Sequence, residues 1–368
     1  MEKTEIKVLH VDSERSWRGG QQQAVYLYER MLKKGFATQL VCQPNSDLEA
    51  YCQSRKIPVK TIRFRHELDL IGALQLAHYA CREGFNILQL HSGHALSWGL
   101  LTKLFFRNLV LVATRRVDFS VRKHFLSRYK YNSSLLNHIV CISQNISDVL
   151  IADGIMADKL SIIHSGINTH RFDSVAGTSE KRRKWHIPED AILIGTVAAF
   201  TGHKDYPNLL KAAELVLHAK PDVYFIALGD GKLFKDMKFW TYTHKISDRF
   251  IFVGESKDVG AYLKSMDIFV LASKKEGLGT SVLDAQSVGL PIIGTMAGGI
   301  PEMIEHGING LLVPVKDHEA LAHAILQLID NPELRQRLGK KALETVRSFD
   351  IDTTVDKYLA LYAKLLNA

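Results

Sequence analysis

Along the first half of the chain, short runs of Val, Ile and Leu alternate with longer stretches in which apolar residues return every three or four positions. The short runs predict strands at Ile6–Val11, Thr38–Cys42, Ile87–Leu90, Leu109–Ala113, His138–Ser143 and Leu160–Ile163. The longer stretches predict helices at Gln21–Lys34, Leu68–Glu83, Ala95–Phe106 and Asn145–Ala152. A strand and helix rhythm of this kind builds a parallel sheet covered on both faces, because parallel neighbours can be joined only through a crossover.

Between Asn168 and Pro188 the rhythm breaks into the polar, basic stretch HRFDSVAGTSEKRRKWHIP, which reads as a linker. Its KRRK run reads as a solvated helical face rather than a nucleic-acid or membrane patch. Beyond it the pattern restarts, with strands at Ile192–Val197, Val223–Leu228, Phe250–Val253, Ile268–Ala272, Ile292–Gly294 and Leu311–Val313 and helices such as Asn208–Ala219 and Val282–Val288. The expected fold class is therefore α/β, with two Rossmann-like domains facing each other across a ligand-binding cleft. Residues 1–170 form the first domain, 171–187 the linker and 188–349 the second. Residues 350–368 carry apolar positions at Val355, Tyr358, Leu359 and Tyr362, the spacing of a helix that packs back toward the first domain.

The length of 368 residues agrees with two domains, at roughly 150 residues each. A content of 46% hydrophobic and 23% charged residues excludes a disordered or fibrous chain. No stretch approaches the roughly 18 uninterrupted apolar residues of a membrane-spanning helix. The opening MEKTEIKVLH lacks the basic and apolar regions of a secretion signal, so a cytoplasmic protein is expected. Four cysteines without CxxC spacing read as reduced thiols.

Charge changes the picture more. The net charge is +8, and residues 1–170 carry all of it, with 22 Lys and Arg against 14 Asp and Glu. The excess is densest over residues 101–130, where Arg115, Arg116, Arg122 and Lys123 are candidates for an acceptor-binding or anionic surface. A phosphate-bearing partner follows, whether saccharide, membrane surface or nucleic acid. Nucleic acid ranks last, since neither a helix-turn-helix nor an aromatic stacking motif accompanies the cations.

Two segments carry candidate chemistry. Trp17-Arg18-Gly19-Gly20-Gln21 joins the first strand to the first helix, where backbone N–H groups and two glycines allow an anionic group to approach closely. It is not GxGxxG, which argues against a dinucleotide fingerprint. The second segment is SKKEGLGTSVLDAQSVGLPIIGTMAGGIPEMIEHGIN, from Ser273 to Asn309. A strand ends before it, Glu276 sits in a Gly-rich loop and a helix starts near Thr280, so that amides of Leu278, Gly279 and Thr280 can face a diphosphate. Asp284 falls on the first turn of that helix in this reading.

Glu276-Gly277-Leu278-Gly279, Gly289-Leu290-Pro291 and Gly298-Gly299-Ile300-Pro301-Glu302 together resemble the signature of the retaining glycosyltransferases of family 4, the group 1 transferases of GT-B fold. In that family two carboxylates separated by seven residues flank EGxG and are followed by GxP and GGxPE. The resemblance extends over the Gly19-Gly20 turn, His91, His164-Ser165-Gly166-Ile167-Asn168, Lys204, Gly229-Asp230-Gly231 and Phe252-Val253-Gly254.

The resemblance implies a retaining, metal-independent transfer of a sugar from a nucleotide diphosphate sugar to a saccharide or lipid-linked acceptor, in lipopolysaccharide or other cell-surface polysaccharide synthesis. It implies catalytic roles for Glu276, His91 and Lys204. Gly19, Gly20, Lys204, Gly254, Glu276, Gly277, Leu278, Gly279, Thr280 and Asp284 would bind the donor. Lys204 would neutralise the departing diphosphate, Asp284 would accept from the ribose and His91 would touch the donor sugar near its reacting carbon. No cofactor is implied, and no nucleic-acid partner is expected; the charge of the first half, not the resemblance, points to an anionic surface such as the inner face of a membrane as a peripheral contact.

Two departures stand out. The second carboxylate is Asp284 where the family commonly has Glu, and it follows Ser281 at the spacing of a helix cap. Ala198-Ala199 replaces a common Gly-Arg, so a second cation for the diphosphate is missing, for which Arg18 or the 115–123 stretch could compensate. These departures leave open a nucleotide-sugar-binding protein without transferase activity. His91 and His94 form a possible metal pair that lacks a third ligand at suitable spacing.

Overall fold

The computed structural model describes residues 5–122, 125–176 and 178–367. They form two compact units, Met1–Ile167 with Asp350–Ala368, and Asn168–Phe349.

The first unit is a seven-stranded sheet of β1 (Lys7–Val11), β2 (Ala37–Cys42), β3 (Lys60–Thr61), β4 (Ile87–Leu90), β5 (Val110–Arg115), β6 (His138–Cys141) and β7 (Leu160–Ile162). Their order is β3-β2-β1-β4-β5-β6-β7, and every pair is parallel. β4 and β6 are buried at every residue, as expected of strands covered on both faces. Two elements that periodicity does not predict complete the edge beside β2. One is helix Asp47–Ser54, whose start is fixed by the Ser46 hydroxyl accepting from the Glu49 amide, and the other is β3, only two residues long. Helix Phe125–Asn132 is a third.

Helix Ile351–Leu366 belongs to this unit although it lies at the far end of the chain. Its Val355, Tyr358 and Tyr362 join Val8, Ile87, Val112 and Val140 in one core. The buried hydroxyls find partners there: Tyr358 shares a 2.9 Å hydrogen bond with Thr114, and Tyr362 donates to Gln89 at 2.7 Å. Arg30 and Lys34 pair with Asp352 and Asp356 along one helix flank.

The second unit holds β8 (Leu193–Val197), β9 (Tyr224–Leu228), β10 (Phe250–Gly254), β11 (Ile268–Leu271), β12 (Ile292–Thr295) and β13 (Leu311–Val313) in the order β10-β9-β8-β11-β12-β13, again all parallel. Residues 171–187 lie within this unit. There Thr178–Lys184 is a helix, and Arg182 is not on its solvated face. Its guanidinium turns inward, donating to the carbonyls of Ser265 and Ala191 at 3.1 and 2.7 Å and to Asp267 at 2.8 Å. Only Arg183 and Lys184 of the basic run are exposed.

In each sheet the strand order reverses direction once, between β1 and β4 and between β8 and β11. Loops leaving the carboxyl ends of the strands diverge at such a point, which leaves room for a ligand. The sequence places Gly19, Gly20 and His91 after β1 and β4, and Lys204 and Glu276 after β8 and β11.

Candidate active site

In the second unit, the chain leaving β8 must make room for itself against the chain leaving β9. Gly229 and Gly231 have φ of +134° and +153°, and a Cβ on either would lie 2.1 Å from the Ala198 carbonyl oxygen or 2.6 Å from that of Phe200. Only glycine accommodates both the conformation and the approach. Tyr206, at the start of the next helix, ties the loop down by donating from its hydroxyl to the Ala198 carbonyl at 2.8 Å. Lys204 ends the short turn Gly202–Lys204, and its ammonium pairs with the carboxylate of Glu276. The Ser273 hydroxyl donates to the same carboxylate oxygen at 3.1 Å, and the Lys274 amide donates to the His203 carbonyl at 2.8 Å, which joins the two loops. Both charged side chains are about one-seventh exposed, at 14% for Lys204 and 13% for Glu276.

The main chain of Glu276 is held as closely as its side chain. Gly299 donates to the Glu276 carbonyl at 3.2 Å. Gly298, at φ +52°, passes so near that a Cβ there would fall 1.7 Å from the same oxygen. The GGxPE segment therefore acts as a clamp that sets where Glu276 points. Gly279, at φ +94°, opens helix Thr280–Ser287 with no side chain capping it. Among the described residues the amides of Leu278, Gly279 and Thr280 have no protein acceptor. Uncapped amides at a helix start present partial positive charge, suited to an anion. Gly254 ends β10 at φ +82° and accepts from the Gly229 amide at 2.9 Å.

Asp284 lies in the second turn of that helix, not the first as the sequence suggests, because the helix starts at Thr280. Ser281 does not cap it, so the structural use of Asp284 considered above is not the one observed. Burial pushes the Asp284 carboxyl up to about 6, opposed by the Arg171 guanidinium at 3.9 Å. Arg171 is a residue that sequence reading misses, since nothing in HRFD distinguishes its arginine from a solvated charge.

A stability test follows from the sign of that shift. The native carboxyl stays protonated up to about pH 6, whereas the unfolded chain ionises near its ordinary value, so stability falls as pH rises through that interval. Asp284→Asn is therefore expected to match the wild type closely at pH 3.5, below both values, and to exceed it by at most about 3 kcal/mol at pH 7.5. Urea unfolding at the two pH values checks this, and an equal gain at both would contradict it.

In the first unit, Gly19 and Gly20 begin helix Gly19–Lys33, preceded by Arg18, which makes no capping bond. Asp12 is buried nearby, held by the Glu14 amide at 2.8 Å and by the Gln21 side chain, and burial raises its carboxyl. His91 directly follows β4 and is buried. Its Nε2 lies 2.9 Å from His10 Nδ1, and its Nδ1 lies 3.2 Å from an Arg116 nitrogen. Burial lowers both imidazoles, His10 to about 3.

The cations expected on an acceptor surface divide. Arg116 turns inward to His91 and to the Ser165 hydroxyl, and Arg115 donates to Tyr131 and to the Phe119 carbonyl. Arg122 is exposed, 3.7 Å from Asp153, and Lys123 lies outside the described residues. His94 is mostly exposed and 3.9 Å from Glu67, away from the His10–His91 pair in hydrogen bonding. Among the described residues no group of three or more His, Cys, Asp or Glu side chains is placed to hold a metal ion. Nor is any helix among them long and apolar enough to cross a membrane.

Comparison with known proteins places this geometry. The family described as glycosyl transferases group 1 matches residues 177–345, and Glycosyltransferase Family 4 matches residues 17–171. The N-acetyl-alpha-D-glucosaminyl L-malate synthase of Bacillus anthracis is 27% identical over 81% of this chain and 80% of its own. The UDP-Gal:alpha-D-GlcNAc-diphosphoundecaprenol alpha-1,3-galactosyltransferase of Escherichia coli is 22% identical over 99% and 98%. Among solved structures, Anabaena Alr3699/HepE in complex with UDP superposes with a TM-score of 0.86 at 18% identity, covering 98% of this chain and 100% of its own.

Proposed function

The chain belongs to glycosyltransferase family 4, the group 1 glycosyltransferases, with the GT-B fold, and from that premise we propose that it transfers a sugar from a nucleoside diphosphate sugar held by the second unit. The observation that carries this reading is the Lys204–Glu276 pair at the β8/β11 switch point, beside three amides without acceptors among the described residues.

The chemistry follows from those groups. A donor diphosphate brings two or more negative charges to Lys204 and to the amides of Leu278, Gly279 and Thr280. Its arrival competes with Glu276 for the ammonium. The released carboxylate can then accept hydrogen bonds from sugar hydroxyls, with its position fixed by the Gly298-Gly299 clamp. As the glycosidic bond breaks, charge builds on the diphosphate, and Lys204 stabilises that charge most when it is greatest. Asp284 accepts from the ribose. The acceptor hydroxyl enters on the face the diphosphate leaves, so the anomeric configuration is retained, and no metal ion takes part. A donor-binding protein without turnover remains the second reading, favoured by Ala198-Ala199 where a second cation would stand.

The acceptor is a saccharide bearing phosphate or a lipid diphosphate, bound by the first unit on the cytoplasmic face of a membrane, in lipopolysaccharide or related polysaccharide synthesis. The relative named for a diphosphoundecaprenol acceptor supports this, as does the charge of the first half. Leu68, Leu70, Ile71 and Leu74 are each more than half exposed, beside exposed Arg63 and Arg65, the combination that seats a protein on anionic lipid. Co-sedimentation with vesicles containing phosphatidylglycerol is expected, and equal recovery with neutral vesicles would refute the membrane contact.

Thermal unfolding with UDP, GDP or ADP tests the donor. One nucleotide is expected to stabilise the protein by about 2.7 kcal/mol at a hundredfold excess over its Kd. Sugar transfer with that donor should proceed unchanged in EDTA. No shift with any of the three would remove the proposed donor site.

A further inference from the structure

We propose that His10 is a positioning residue that acts through His91 to fix the guanidinium of Arg116, and that Arg116, not the ring of His91, is the group of this unit that meets substrate.

The protons available to the three side chains fix their roles. Arginine has five N–H donors and no acceptor, so at 3.2 Å an Arg116 nitrogen must donate to His91 Nδ1, and that nitrogen bears a lone pair. A neutral imidazole carries one proton, which places it on His91 Nε2. From there it can only be donated to His10 Nδ1, 2.9 Å away, so His10 also carries its own proton on Nε2. The opposite direction would leave His91 without a proton on either nitrogen. Both rings are thus fixed as neutral Nε2–H tautomers, meeting edge to edge with their planes 15° apart and their centroids 5.2 Å apart. The His10 Nε2–H finds no acceptor among the described residues, which is the cost of the arrangement.

Two consequences follow. Both nitrogens of His91 are occupied, so its ring has nothing left to offer a sugar hydroxyl. Arg116, by contrast, has one hydrogen engaged by His91 and one by the Ser165 hydroxyl at 3.3 Å, and among the described residues no carboxylate accepts a hydrogen bond from it, the Asp12 carboxyl attracting it only from longer range. A largely buried guanidinium whose two hydrogen-bond acceptors are both neutral is suited to an anion. The second hydrogens of its two terminal nitrogens remain for one. Its Cδ passes 3.6 Å from where a Cβ on Gly20 would be, which sets it against the uncapped start of helix Gly19–Lys33. The ligand class is a phosphate or diphosphate group. That part rests on the proposed reading of the protein as a transferase of phosphate-bearing substrates, whereas the tautomer assignment does not.

Long-range proton–nitrogen spectra of the full-length protein, labelled with 15N-histidine, test the two parts separately. Without ligand at pH 7, both His10 and His91 are expected as Nε2–H tautomers. An Nδ1–H proton on His91 in the wild type would overturn the proposal. In Arg116→Met the donor to Nδ1 is gone, and a Nδ1–H population of His91 is expected; an unchanged ring would show that Arg116 does not set the tautomer. Inorganic pyrophosphate should shift the His91 signals of the wild type and not those of Arg116→Met. Shifts confined to groups of the second unit would overturn the substrate-facing role and leave the donor reading standing. In turnover assays, His10→Leu is expected to raise KM for the phosphate-bearing substrate about tenfold with kcat little changed. His10→Gln, which keeps an acceptor oxygen, should recover most of that loss, and equal values for the two variants would overturn the role of His10.

Discussion

Glu276→Gln is expected to lower kcat for sugar transfer by about 10³-fold without weakening the binding of the nucleoside diphosphate. The substitution keeps the size of the side chain and its place on the clamped loop, but it replaces a carboxylate that accepts from two directions with an amide that accepts on one oxygen only. In the free protein Glu276 neutralises Lys204. With the charge removed, Lys204 is left for the diphosphate, so affinity for the nucleotide should hold or rise while turnover collapses. This split separates the proposed role from a merely structural one, in which stability, binding and kcat would fall together. Steady-state kinetics with calorimetric titration of the nucleotide decide it. A kcat within tenfold of the wild type, or a nucleotide Kd raised more than tenfold, would rule out the exchange of Lys204 between carboxylate and diphosphate.

The largest expected loss of stability is that of Gly298→Ala. The residue stands at φ +52°, and its Cβ would overlap the Glu276 carbonyl oxygen at 1.7 Å. The left-handed conformation alone costs an alanine on the order of 1 kcal/mol. The clash adds more, because the atom in the way is main chain and cannot turn aside as a flexible side chain would. We expect a total of roughly 3–4 kcal/mol, and a displaced Glu276 in whatever still folds. Gly202→Ala is the matched comparison: it also lies in a loop at the β8/β11 switch point, yet nothing approaches its Cβ position within 4 Å. Urea denaturation should place Gly202→Ala within about 1 kcal/mol of the wild type. If the two variants unfold alike, the clamp is not what holds Glu276.

The parts of this molecule that could be read from its residues are those where local chemistry and tertiary packing agree. Ile87–Leu90 and Leu311–Val313 are strands with the boundaries their apolar runs predict, because buried parallel strands need nothing more than such a run. The Gly-rich loop with Glu276 and the amides after it could be read for a similar reason, since Gly279 answers a local demand for positive φ at the start of the helix. The rest depended on distance. β3 is two residues long and exists only because β2 offers it an edge. The inward turn of Arg182 depends on carbonyls of residues 188–191 and on Ser265, far from it in sequence. The same holds for the relay from His10 to Arg116, whose members come from three different strands or strand ends and carry no common pattern.

The contribution of Tyr358 and Tyr362 to the core around Val8 and Val140 bears on how the protein is made. A ribosome releases the whole of residues 168–349, and with them everything the second unit contains, before it has finished the first. Domains fold as they emerge, so the later one in the chain can be complete while the earlier one still waits with the hydroxyl of Thr114 and the amide of Gln89 lacking their tyrosines. A stop codon just after Phe349 would remove no part of the proposed donor pocket, yet it would leave the nascent amino-terminal unit without the side chains that close its core.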